Sequence, residues 1–559
     1  MDQLPADVLL GNDVGDICCS ITWRQAELDE PPAVVQELRL HVNELPLHLR
    51  VGYKEPGGII VAPAQQLNHS CPQLSSRISS WLGVAHSLEV PVMFGLWILL
   101  ASSLSGVHSQ FPRGCTTNEA LQKRTCCPEW TDGTPCGSGS GRGACRPWVA
   151  PVIPEKFEEL LYDDRLNWPH HYYDSTCQCF GTFSGFNCGY CKYGYYGEKC
   201  DQKKTVVRKE IRELTLVERN RFFSYLALAK TTKSKDFVVL TTGDRHNSDT
   251  YTFVDASIYD VFSWIHYYSM KPIMIKSAFI DSKTYAHQGP AFPGWHRLGL
   301  LFLEREIQLM TGDEDFALPY YDWRGEKNCS ICTNDFLGDN DAQGNLSPYS
   351  HFSYWKVICS GYDYPAVYCR DHEEHTMEKL LRKPGSDPLN SRFPSFQDVE
   401  DTLKWQNFDT SPYDETARES FRNSLEGFLN PSDGVTLERN MHNLVHMYLG
   451  GTMSQVPISC NDPMFVLHHN FIDKILETWI KKYNGAPKFY PENRQPGQRP
   501  YECATPYFPC YRNKDLLQTS RHYGYTYSNY QEFGPGDTYE GIITAATKYI
   551  FSALRHLLP

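Results

Sequence analysis

Imidazoles at helical spacing are the side chains in this sequence with the most chemistry to offer. His442 and His446 in MHNLVHMYL lie one turn apart on one face, a spacing that lets two rings share a metal ion. Downstream, Asn461-Asp462-Pro463 reads as a helix start. Phe465, His469, Ile472, Leu476 and Trp479 then recur at steps of 4, 3, 4 and 3. His469 is therefore expected inside a buried stripe, with His468 rotated from it by about 100°. A polar ring on a core stripe must find a partner, which makes His469 the better ligand of the two. In WHRLGLLFLEREI, His296, Leu300, Leu303 and Ile307 share a face at steps of 4, 3 and 4. SIYDVFSWIHYYSM aligns Tyr259, Phe262 and His266, and His287 falls in a turn-like approach nine residues before His296. A chain with 20 histidines yields one such pattern easily by chance, but four inward-facing segments are hard to reach that way.

Facing helices must position these rings, so the expected fold is mainly α: an antiparallel four-helix bundle with a metal site in its core. The charge balance of −13 leaves no basic stripe for nucleic acid. Hydrophobic content of 41% is that of an ordinary globular chain, and 559 residues call for more than one structural unit. Ten of the 20 cysteines fall between Cys115 and Cys200, and none lies between Cys200 and Cys329. So dense a cluster reads as a disulfide framework formed in an oxidising compartment. A zinc module built on Cys188 and Cys191 is the lesser alternative.

The domain boundaries follow from these textures. Residues 1–92 carry no motif and read as an unassigned N-terminal extension. Residues 93–109 resemble a signal peptide, since the run from Val90 to Ser103 is apolar and too short to span a bilayer. A cysteine-rich subdomain at 110–201 follows; its C-x-C-x8-C spacing from Cys177 looks like the latter half of an epidermal-growth-factor-like module with a supporting role. The catalytic domain is expected at 202–545 and a short tail at 546–559.

The strings HYYSM, GPAFPGWHR, DWR, SFRNSLEGF, MHNLVH, GTMSQV and NDPMFVLHH, in that order, resemble the vertebrate-type tyrosinase family. The resemblance runs from about Gln110 to Tyr549. It implies that His266, His287 and His296 bind one copper ion and His442, His446 and His469 a second, with dioxygen as co-substrate. No carboxylate or thiolate completes either trio, and the donor set alone suits copper, zinc, iron or nickel. The family's chemistry is ortho-hydroxylation of monophenols such as tyrosine and oxidation of catechols such as DOPA to o-quinones, in melanin synthesis. Glu426 and Asn443 match the positions that hold a water as base, although a helix-end charge and a backbone contact are the plainer readings. Val456 matches a small residue at the mouth of the site, or is a packing residue. The resemblance also implies the secretory lumen and melanosome, with a membrane anchor that this sequence does not contain.

Two other functions carry the same frame: a zinc dopachrome tautomerase or dihydroxyindole-carboxylic-acid oxidase, and a non-catalytic oxygen-binding protein. His468, DWR and GTMSQV favour the copper oxidase. Departures from the pattern are Pro293-Gly294 and Gly299 in the His296 helix, Gln288 after His287, and Tyr321 in place of a tryptophan. Cys460, Cys503 and Cys510 look additional, and Asn345 offers the best glycosylation sequon, ahead of Asn68 and Asn328.

Overall fold

A computed structural model describes residues 110–149, 163, 165, 168–244, 247–275, 278–279, 284–359, 378–493 and 495–529, with four strands nearer the N-terminus. The chain divides into two units, 1–98 and 99–559. In the first, β1 (Cys19–Ala26), β2 (Val35–Val42), β3 (Leu45–Lys54) and β4 (Gly58–Val61) pair antiparallel in sequential order. No motif marks these residues, yet Leu38, Leu40 and Val42 alternate with polar residues at the period of a strand. The signal-like segment, the tail and Asn68 lie outside the described residues. Among the described residues, no helix is long and apolar enough to cross a membrane.

The second unit opens with β5 (Gln110–Pro112), which pairs with β6 (Lys233–Asp244). Together with β7 (Asn247–Ser257), β6 completes a three-stranded antiparallel sheet. This content qualifies the expected mainly α fold. KDFVVLTT and TYTFVDAS are rich in β-branched and aromatic residues, which favour a pleated, half-buried surface over a helix.

Ahead of the sheet, α1 (Leu216–Thr231) starts on a capping box between Thr215 and Glu218. Strand β7 runs straight into α2 (Ile258–Ser269), where the Ser257 hydroxyl accepts the Asp260 N–H. Next is α3 (Phe292–Thr311), with Pro293 harmless in its first turn and Gly312 left-handed at its end. Then come α4 (Phe421–Glu426), α5 (Met441–Leu449) and α6 (Met464–Tyr483). Helix α3 packs on α2 and α6, and α5 packs on α4 and α6. The start of α6 is as the sequence suggested, since the Asp462 carboxylate accepts the Met464 N–H.

Gly299 has a packing reason to stand inside α3. A Cβ there would meet the Tyr507 hydroxyl at 2.8 Å and the Phe262 ring at 3.5 Å. Just behind the histidines, buried ion pairs tie α3 to α6. The Arg297 Nε donates to Asp473 at 2.5 Å, and Arg208 bridges Glu304 of α3 at 3.0 Å and Asp473 of α6 at 3.7 Å. Tyr525 and Tyr527 hydroxyls complete the shell of Asp473. Removing one partner of such a buried pair costs about 3–5 kcal/mol, because the charge left behind has no solvent.

All ten cysteines of the subdomain are paired: Cys115–Cys126, Cys127–Cys145, Cys136–Cys177, Cys179–Cys188 and Cys191–Cys200. Cys188 and Cys191 thus belong to different disulfides, which removes the zinc reading. Cys503 and Cys510 bond to each other, and Cys460 is a buried free thiol.

Candidate metal centre

Helices α2 and α3 supply His266 and His296, and the loop before α3 supplies His287. Their ligand nitrogens lie within 4.8 Å of one another. Opposite them, α5 supplies His442 and His446, and α6 supplies His469. The Nε2 atoms of His442 and His446 each stand 3.3 Å from that of His469. The trios face each other closely: His296 and His469 stack with ring centres 4.3 Å apart, and His287 and His442 are 5.8 Å apart. Phe292 and Phe465 fill the remaining walls, at 5.0 Å from His296 and 4.0 Å from His469.

Five of the six rings are oriented through their other nitrogen, as a metal-binding imidazole requires, while His469 Nδ1 is enclosed without a partner. His296 Nδ1 meets the Phe292 carbonyl at 2.8 Å, and His446 Nδ1 meets that of Met453 at 2.8 Å. His442 Nδ1 lies 3.1 Å from Asn443 Oδ1 and 3.2 Å from the Glu426 carbonyl. His266 Nδ1 is 3.4 Å from the Pro457 carbonyl, and His287 Nδ1 abuts the Met270 sulfur. Those contacts turn Nε2 inward. The Nε2 atoms of His266 and His296 are enclosed and have no partner in the protein.

Burial is the largest influence on the protonation of all six rings. It holds His266, His287, His442 and His469 well below the usual imidazole range, pushes His296 down to about 3 and His446 down to about 4. Neutral rings with inward, unpartnered lone pairs are the state a transition metal needs. The donor set therefore fits two metal ions, one in each cluster, and the second cluster also brings the His468 ring together with His442, His446 and His469 within 4.8 Å.

His468 corrects one part of the sequence reading. Helix α6 is buried on all sides from Met464 to Ile480, so His468 is as enclosed as His469 and no helix face separates them. Its ring centre lies 5.2 Å from His442 and 5.0 Å from His446. Hydrogen bonding draws the distinction instead. Trp323 Nε1 donates to His468 Nδ1 at 3.0 Å, which leaves the proton of the neutral ring on Nε2. A protonated nitrogen has no lone pair for a metal.

Glu426 ends α4 and is fully buried. Its Oε1 accepts the Gln288 N–H at 2.6 Å and its Oε2 accepts from Arg422 at 3.1 Å. Burial pushes its carboxyl up to about 7 against the pull of Arg422. The helix can stop here because Gly427 is left-handed and Cβ-less; a Cβ would strike the Asn440 carbonyl at 1.9 Å. Val456 is 50% exposed and precedes Pro457, whose carbonyl faces His266.

Sequence reasoning missed the groups that hold the His287 loop. Gln498 donates to the Thr284 and His287 carbonyls at 2.9 and 2.8 Å and accepts the Ala291 N–H at 3.0 Å. Nothing local marks a residue 211 positions away as part of the site. Phe465 and Trp323 were detectable, the first on the His469 stripe and the second within DWR.

A family profile for tyrosinase, described as the common central domain of tyrosinase, matches residues 256–482. The chain is 44% identical to tyrosinase of Canis lupus familiaris over 439 residues, covering 76% of this chain and 82% of that one. It is 43% identical to tyrosinase of Felis catus, with the same two coverages. Identity is 36% to 5,6-dihydroxyindole-2-carboxylic acid oxidase of Bos taurus, covering 78% of this chain and 85% of that one.

Proposed function

The chain belongs to the tyrosinase family, and on that premise we propose that its two histidine trios each hold one copper ion at a phenol-oxidising centre. It is a tyrosinase-type oxidoreductase, converting monophenols such as tyrosine and catechols such as DOPA to o-quinones in melanin synthesis. Bound copper supplies the redox chemistry that activates dioxygen and accepts electrons from a catechol. The observation that carries the reading is the convergence of neutral imidazole nitrogens from two facing trios.

The rest falls to the chain's own residues. The four histidine-bearing helices, α2, α3, α5 and α6, act as the bundle that encloses the pair. Phe292 and Phe465 exclude water beside the rings and offer aromatic faces to a substrate ring. Val456, half exposed near His266, leaves room for that ring to enter. Glu426 and Asn443 flank His442, and a carboxyl poised near neutral pH can take the phenol proton and return it. The cysteine-rich subdomain supports this domain from outside, and its five disulfides fit a luminal, melanosomal setting. Residues 1–92 form a separate extension.

Higher identity to tyrosinases than to the dihydroxyindole acid oxidase favours copper over zinc. The test is to reconstitute the protein with copper and to assay quinone formation from DOPA and tyrosine. Activity with both is expected, and no quinone from fully loaded protein ends the proposal. In the Glu426→Gln variant, tyrosine hydroxylation should fall by about 10²-fold or more, the scale of a lost general base, with DOPA oxidation changed far less.

A further inference from the structure

Ten residues past His296, α3 carries a buried carboxyl that the oxidation chemistry does not use. The Oε1 of this residue, Glu306, is enclosed and has no hydrogen-bond partner. Arg305 precedes it on the helix, and Asp236 of β6 brings a second carboxylate within electrostatic reach. From the cysteine-rich subdomain come Tyr190 and Tyr193, which both feel its charge. The Tyr190 hydroxyl donates to Asp236, and Tyr511 packs on Tyr193 with ring centres 5.7 Å apart. The Arg305 guanidinium carbon lies 4.5 Å from the Tyr193 ring centre and 5.1 Å from that of Tyr190.

The seam between subdomain and helix is not packed shut. A cavity of about 410 Å³ lies between Tyr195 and Tyr196 on one side and Leu309 and Gly312 on the other. A segment that stands off its support in this way opens at little cost. Ionised Glu306 would be an enclosed anion beside Asp236, of like sign, with Arg305 alone in its favour. Burial is the largest influence on this carboxyl and pushes it up to about 7, against Arg305 and with Asp236. With the tyrosines lifted, water would reach it, and its ordinary value is 4.5.

We propose that the tyrosine segment of the subdomain is a proton-linked latch on α3, seating over the neutral Glu306 carboxyl and lifting when that carboxyl ionises. Between pH 4.5 and 7 the lifted form releases a proton that the seated form keeps. Seating is therefore strongest below 4.5 and weakens by up to about tenfold per pH unit as the pH rises to 7. His522, whose backbone carbonyl meets Gly194 of the same segment, provides a contrast. Burial, and after it Lys203, holds that imidazole below its usual range, so its titration would weaken seating as the pH falls. The two groups predict opposite signs.

Hydrogen exchange of the intact protein tests the latch, read as protection factors for residues 189–198 at pH 5 and at pH 8. Protection is expected to fall at least tenfold from the lower pH to the higher. Glu306→Gln, neutral at every pH and close in size, should keep at pH 8 the protection seen at pH 5. Asp236→Asn retains an acceptor for the Tyr190 hydroxyl but removes the like charge. It should move the loss of protection to lower pH. Protection that is level with pH, or that rises, overturns the proposal. So does an unaltered pH dependence in Glu306→Gln or, should that variant not fold, an unmoved transition in Asp236→Asn.

Discussion

The two histidine trios are assembled by different means. His442, His446 and His469 come from two helices, and four residues of α5 set two of the rings by helical pitch alone. His266, His287 and His296 come from three segments, and His287 rides on a loop with no helical geometry to fix it. Gln498 and the Glu426 carboxylate do that work, clasping the backbone at Thr284, His287, Gln288 and Ala291. The His287 ring itself abuts only a sulfur where His446 has a carbonyl at 2.8 Å. Local pitch builds one half of the centre, and long-range clasps build the other.

The sharpest way to break this comparison is to remove rings from α6. His469→Ala should abolish metal binding by the α5–α6 trio and all quinone formation. His468→Ala should leave two metal ions per chain by elemental analysis, because Trp323 occupies its Nδ1 and its proton is on Nε2. Equal metal loss in both variants would show that His468 is a ligand. A smaller effect is expected from Gln498→Ala. Loss of an orienting partner weakens metal affinity by about 10–100-fold, and here the loss should be confined to the trio containing His287. Competitive chelation would show one weakened and one unchanged ion; two ions weakened alike would contradict the division.

The same division explains what was legible in the sequence. His442 and His446 declare themselves by spacing, and His296 and His469 by their place in apolar stripes. His287 stood out only as a turn beside a helix, because a loop's conformation depends on partners such as Gln498 from far along the chain. The stripe argument also failed to separate His468 from His469. It assumes one buried face, and α6 is enclosed all round. The β6–β7 hairpin carries no helical periodicity; its only mark is the β-branched and aromatic run in each strand. Arg297 and Asp473 lie on helices that periodicity predicts, yet an ion pair between two helices leaves no mark in either one.

The finest distinction between the trios concerns protons, and it shows best with metal removed. Burial holds His446 at about 4 and His296 at about 3, whereas an unfolded chain takes up a proton near 6.5. Below 6.5 the unfolded state therefore binds protons that the folded state refuses. The stability contributed by each neutral ring is complete above 6.5 and is lost as pH falls. Each ring adds a slope of about 1.4 kcal/mol per pH unit until its own folded value is reached. Urea denaturation of the metal-free protein should thus show stability declining from pH 6.5 downward. His446→Asn should flatten that decline down to about pH 4, and His296→Asn should flatten it about one unit further. Stability that holds level or rises as the pH drops would mean that the rings are solvated in the metal-free protein. The enclosed, ready-made donor set would then not exist before copper arrives.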